Sequence, residues 1–117
     1  MKSIERKMID AVGAKKSISC GNTRVIYDEV TNTSDVFLFG NLIFSLCHLD
    51  SGVVIRISDC GYRTETTKSR LNALMGEFTG GYIYCYKGCW YLKNGHVEQW
   101  QGEYYIVLDN QHHSVIA

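Results

Sequence analysis

Cys85 and Cys89, with His96, His112 and His113 downstream, have side chains and a spacing that a zinc ion accepts. In a strand, residues four apart lie about 13 Å from one another, so chelation needs Gly88 to turn the chain sharply. The favoured reading is free, mostly buried thiols and no metal. Cys60, in Asp59-Cys60-Gly61-Tyr62-Arg63, is the cysteine whose neighbours suit a thiolate nucleophile, with Arg63 to stabilise the anion and His48 or His96 as base. Nothing in the spacing ties those residues together, and a buried loop cysteine explains the same letters. The sequence has no phosphate-cradling Gly-x4-Gly-Lys run, no Gly-x-Ser-x-Gly, no His-Glu-x2-His and no paired carboxylates at helical spacing. No catalytic residue and no cofactor is therefore assigned, and a Cys60 enzyme stays the last of three readings.

Two other groups of residues suit binding. Arg63-Thr64-Glu65-Thr66-Thr67-Lys68-Ser69-Arg70 places hydroxyls and first-turn backbone N–H groups beside the three cations Arg63, Lys68 and Arg70. A helix start of this kind favours an anion such as phosphate, although capping by Thr66 or Thr67 and solvation of the cations explain the same pattern. The second group is aromatic: Tyr82, Tyr84 and Tyr86 share one face of a strand, with Trp90, Tyr91 and Trp100 nearby. Such a strip stacks bases, anchors a protein interface, or packs a sheet. With only Lys87 and Lys93 interleaved, the core or a protein interface is favoured over nucleic acid.

The elements that position these groups follow from the apolar period. Ile4, Met8, Ala11 and Val12 form a helical stripe over Ser3 to Val12, with Ser3 as cap and Gly13 as stop. Between residues 18 and 58 come the β-rich runs Thr23 to Val30, Val36 to Phe39, Leu42 to Leu49 and Val53 to Ser58, with Gly40-Asn41 as a two-residue hairpin connection. In Val53 to Ser58 the alternation puts Val53, Ile55 and Ile57 on one face. A second helix capped by Thr66 or Thr67 carries Leu71, Leu74 and Met75 inward and ends at Gly76; Lys68, Ser69 and Asn72 face solvent with Arg70 at a flank. Strands return at Tyr82 to Lys87, Cys89 to Lys93, His96 to Gln101 and Glu103 to Leu108, with Asn94-Gly95 as a hairpin turn. The expectation is one α+β domain over residues 1–108, a mostly antiparallel sheet of about six or seven strands with two short helices, and a flexible tail over 109–117.

The chain has 117 residues, 45% hydrophobic and 21% charged, which fits one globular domain. Twelve Lys and Arg balance twelve Asp and Glu, so no global field steers it to nucleic acid or membrane. Charge is nonetheless uneven: residues 1–24 carry six cations against two carboxylates, and residues 25–62 one against five. Five cysteines, an odd set, with no signal-peptide-like start, point to a reducing compartment; no apolar run suits a membrane span.

Ile4-Glu5-Arg6-Lys7-Met8, Cys20-Gly21-Asn22-Thr23 and Ile57 to Leu74, with Thr66-Thr67-Lys68-Ser69-Arg70-Leu71-Asn72-Ala73-Leu74 at its heart, resemble a group of small accessory proteins of tailed bacteriophages and prophages. The resemblance covers residues 1–76 in patches and implies a virus-encoded protein in the host bacterial cytoplasm, with no catalytic residues to transfer. In that setting the expected activity is stoichiometric binding to a host protein, such as a defence nuclease or CRISPR effector, as an anti-restriction or anti-CRISPR inhibitor. The expected partner-binding residues are Arg63, Thr66, Thr67, Lys68, Arg70, Tyr82, Tyr84, Tyr86 and Trp90. The alternative is a small nucleic-acid-binding protein using the basic Arg63 to Arg70 helix start.

Overall fold

The computed structural model describes residues 1–109 throughout and 113–116 as backbone. Helix α1, Ser3–Ala14, buries Met8, Ala11 and Val12 of the apolar stripe read from the sequence and Ile9 beside them, while Ile4 is half-buried. Its cap is Lys2 rather than Ser3: the Glu5 carboxylate turns back to accept from the Lys2 amide at 3.3 Å. Gly13 stays helical, and Lys15 makes the left-handed exit at φ 56°.

Five antiparallel strands then form a meander: β1 Ile18–Cys20, β2 Thr23–Asp28, β3 Thr33–Leu38, β4 Asn41–Leu49 and β5 Gly52–Ser58. Helix α2, Glu65–Phe78, follows, and the chain then makes a separate three-stranded sheet from β6 Tyr82–Tyr86, β7 Cys89–Lys93 and β8 Val97–Gln99. Strand β9, Glu103–Asp109, rejoins the first sheet beside β5, and β10, His113–Ile116, pairs outside it. The α+β class and antiparallel pairing agree with the sequence reading, but among the described residues the strands number ten, seven in one sheet and three in the other, instead of six or seven in one. A three-residue strand such as β1 is too short to show alternation. The three strands after α2 pair with one another because consecutive hairpins close locally. Of the expected tail, residues 110–112 and 117 lie outside the described residues, and the backbone of 113–116 is paired with β9.

Register follows side-chain size. Ile55 and Ile57 are fully buried and Val53 packs on the same core, as the alternation predicts. Phe44, Leu46, Val36 and Val25 from neighbouring strands join them under the two helices. The inner face of the small sheet, Ile83, Trp90 and Leu92, continues this core through Trp100 and Tyr104, whose rings lie 5.0 Å apart. Two turns differ from expectation. The β3–β4 connection is Phe39-Gly40, with φ of 50° and 79°, because Leu38 pairs with Asn41. The β7–β8 connection is the three residues Asn94-Gly95-His96, since Lys93 pairs with Val97.

Candidate functional site

Helix α2 is capped two residues or more before the expected Thr66 or Thr67. Thr64 is the cap: its hydroxyl accepts from the Thr67 amide at 3.1 Å, and the Thr67 hydroxyl lies 3.0 Å from it. Thr67 is buried by this pairing, Thr66 is half-buried, and Gly76 sits within a helix that runs on to Phe78. The first-turn amides of Glu65 and Thr66 have no intrahelical acceptor. The helix start borders a cleft of about 450 Å3 that it forms with the β3–β4 turn, lined by Leu38, Phe39, Asn41, Tyr62, Thr64 and Thr66.

The floor of this cleft is fixed by Asp59, a buried carboxylate with three donors. It accepts from the Gly61 amide at 2.7 Å, from Trp100 Nε1 at 2.7 Å and from Arg63 Nε at 3.2 Å. One carboxylate thus ties the β5–α2 loop to the aromatic layer under the small sheet. Cys60 and Gly61, at φ 53° and 85°, form the turn that brings the Tyr62 amide to the Asp59 carbonyl at 2.8 Å. The turn throws Tyr62 outward, 57% exposed. Across the cleft Phe39 is 71% exposed. Two aromatic rings therefore rim a pocket whose polar lining comes from Asn41, the three threonines and the donor-saturated Asp59 carboxylate, an arrangement that can seat a small apolar or amphipathic group.

The three cations of this stretch do not form a free basic patch. Arg70 was expected at an exposed flank and is instead buried. Its guanidinium reaches Glu5 Oε2 at 2.9 Å, Thr23 Oγ1 at 3.1 Å and Asn22 Oδ1 at 3.3 Å. Ser69 also points inward, its hydroxyl donating to Glu5. Asn72, expected in solvent, bonds both backbone groups of Ile83 at 2.6 and 2.8 Å, so that its amide stands in for a missing strand at the β6 edge. The physical reason is the same in each case: α2 lies between α1 and β6, and both its flanks are covered. Lys68 Nζ pairs with Glu65 at 3.2 Å and lies 5.9 Å from the centre of the Trp90 ring. Arg63 remains half-exposed beside Asp59.

Burial pushes the Glu5 carboxyl up, but hydrogen bonds from Ser69, Arg70 and the Lys2 amide, with the Arg70 charge, outweigh it and hold the group below its ordinary value. Burial, with the nearby Lys15 charge, pulls the His48 imidazole down.

The aromatic residues divide between two faces. Tyr82, Tyr84 and Tyr86 share the outer face of β6 as the spacing predicts, with Tyr82 45% and Tyr86 56% exposed. Tyr91, opposite Tyr84 on β7, stacks on it at 5.5 Å. Trp90 belongs to the other face, packed 6.3 Å from Trp100, so it is core and not part of the strip. Cys85 is opposite Trp90 and Cys89 opposite Tyr86, which puts the two thiols on opposite faces of the hairpin. They cannot share a metal, and among the described residues no group of three potential ligands converges. His112 and the side chain of His113 lie outside the described residues. The Cys60 thiol donates to the Leu42 carbonyl at 3.0 Å, with Ser58 as its other partner.

Sequence reasoning missed Phe39 and Tyr62 as rim residues and Asn41 beside them. The signal available was an aromatic residue directly before glycine between two β runs.

The fold and site define a small two-sheet α+β domain with a ring-bordered cleft at one helix start and a tyrosine-covered outer sheet face. Residues 1–110 match the family described as Kyanoviridae Gp96 protein, and the chain belongs to that family. It is thus a small phage protein, as the resemblance in its first two thirds implied. No curated protein and no solved structure matches the chain. Among the described residues no helix is long and apolar enough to cross a membrane.

Proposed function

We propose that this phage accessory protein works in the host cytoplasm by occupying the surface of one host protein in a one-to-one complex, with no bond made or broken. The observation that carries the reading is Phe39. A bulky residue at φ 50° is strained, and its ring is exposed, so neither turn geometry nor core packing accounts for it. A ring held out beside Tyr62 and an adjoining cleft is suited to anchor a partner, because exposed rigid aromatics supply much contact area at little entropic cost. Thr66 lines the same cleft, and Arg63 is held next to it by Asp59 on the cleft floor. A defence nuclease or CRISPR effector is the proposed class of target, since blocking such an enzyme asks only for a stable shape.

The engaged state of Arg70 and Lys68 weighs against nucleic acid at the helix start, and the carbonyl-bound Cys60 thiol weighs against a nucleophile there. Tagged protein is incubated with nuclease-treated lysate of the host. The expected result is one stoichiometric band that is lost with Phe39→Asn and weakened with Tyr62→Ser. Retention of the same band by Phe39→Asn would overturn the reading.

A further inference from the structure

We infer that the outer face of the small sheet is a second binding surface, for single-stranded nucleic acid, separate from the cleft and independent of the host-protein reading. The ladder of Tyr82, Tyr84 and Tyr86 runs along β6 with ring centres of Tyr82 and Tyr84 6.0 Å apart, and Tyr91 backs Tyr84. Ring–ring contact holds Tyr82, Tyr84 and Tyr91 in place before anything binds, and Tyr86 is met by Lys87.

Size selects a narrow occupant. Three strands about 4.8 Å apart, two of five residues and one of three, give a face of at most about 14 by 17 Å. That is near 240 Å2, against about 800 Å2 per partner in a standard protein interface. The face is too small to hold a globular partner or a second copy by itself, and it fits a single strand laid across it. Exposed aromatics on a sheet of this kind stack about two or three bases.

Charge selects among narrow occupants. Lys93 lies opposite Tyr82 at one end of the ladder, and Lys87 stands over the Tyr86 ring at 5.3 Å at the other. The remaining outer-face positions of the three strands, Cys89, Val97 and Gln99 among them, hold no carboxylate. Glu98, opposite Leu92, belongs to the inner face. A cation at each end of a neutral aromatic strip complements a polymer with flat rings and a phosphate backbone. A neutral glycan or a proline-rich peptide would leave both lysines without a partner.

The test uses the full chain and a fluorescent oligothymidylate, followed by anisotropy across a salt series. Binding is expected, with log K falling against log salt at a slope of about −1.4 for two phosphate contacts. Each of Tyr82→Ala and Tyr86→Ala should weaken it by about tenfold. Lys87→Glu with Lys93→Glu should remove the salt dependence along with most of the affinity. The rings and lysines are exposed, so circular dichroism should match wild type. Phe39→Asn, which tests the host-protein contact, should leave oligonucleotide binding unchanged. Absence of binding at low salt overturns the proposal. So does equal binding by the tyrosine variants, loss through Lys68→Glu instead, or equal affinity for a neutral oligosaccharide or a polyproline peptide.

Discussion

Arg70 Nη1 lies 2.9 Å from Glu5 Oε2, and this buried pair joins the two helices across 65 residues of chain. Thr23 and Asn22 complete the guanidinium's partners and Ser69 completes the carboxylate's. Each of the three stretches that resemble phage accessory proteins contributes: Glu5 from the first, Asn22 and Thr23 from the second, Ser69 and Arg70 from the third. What those stretches share is a clamp that fixes α1 and α2 on the β1–β2 corner. The clamp holds the helix start in place, and the proposed partner surface, Phe39 and Tyr62, lies outside it.

Breaking that pair from one side should be costly. Arg70→Met leaves a carboxylate buried with fewer donors and should lower unfolding free energy by about 3–5 kcal/mol, because the remaining charge loses its partner. Glu5→Leu should do the same. The double variant should cost clearly less than the two single losses added, as measured by urea unfolding. Additive losses would show that the groups are not coupled.

The same pair sets an acid limit. Glu5 titrates below its ordinary value of 4.5 in the fold, so its contribution is fully present above that pH. As pH falls below it, the unfolded chain takes up the proton first, and the contribution is lost down to the lower pKa of the folded carboxyl. Stability of Glu5→Gln should start lower and change less over that window. Equal pH slopes in the two proteins would contradict the assignment.

The clamp also shows what was legible in the sequence. The stripe Met8, Ala11 and Val12, the alternation at Ile55 and Ile57, and the shared face of Tyr82, Tyr84 and Tyr86 all follow from period, because period alone decides which side of an element is buried. Partners distant in the chain do not follow from period. Arg70, Ser69 and Asn72 are polar on a helix and read as solvent-facing, yet Glu5 and the Ile83 backbone cover them. Composition groups Trp90 with the tyrosines, whereas its register on β7 puts it on the opposite face, buried against Trp100. The cleft was half visible: the threonine-rich helix start stood out, and Phe39, contributed by a turn 25 residues earlier, did not.

Asn72 is the link between α2 and the small sheet. Asn72→Ala leaves the Ile83 amide and carbonyl without partners and should cost about 1–3 kcal/mol. The local signature is faster hydrogen exchange at Ile83, with the amides of Ile55 and Ile106 in the large sheet still protected. Asn72→Asp should be intermediate, since a carboxylate accepts from the Ile83 amide and repels its carbonyl. Uniform exchange changes across both sheets would show that the small sheet does not depend on this contact.

Two turns of this protein have the same backbone and different surfaces. Phe39-Gly40 and Lys87-Gly88 each run through φ of 50° and 79°. Asparagine tolerates the first position far better than phenylalanine or lysine. Phe39→Asn and Lys87→Asn should therefore each raise unfolding free energy, by about 1 kcal/mol, and together by about the sum. Only Phe39→Asn should lose the host protein, and only Lys87→Asn should weaken oligothymidylate. A gain in stability accompanied by a specific loss of binding at each turn would mean that strain is kept there for contact. If Phe39→Asn destabilises the fold, the ring is packing against the domain and the anchor has to be sought elsewhere.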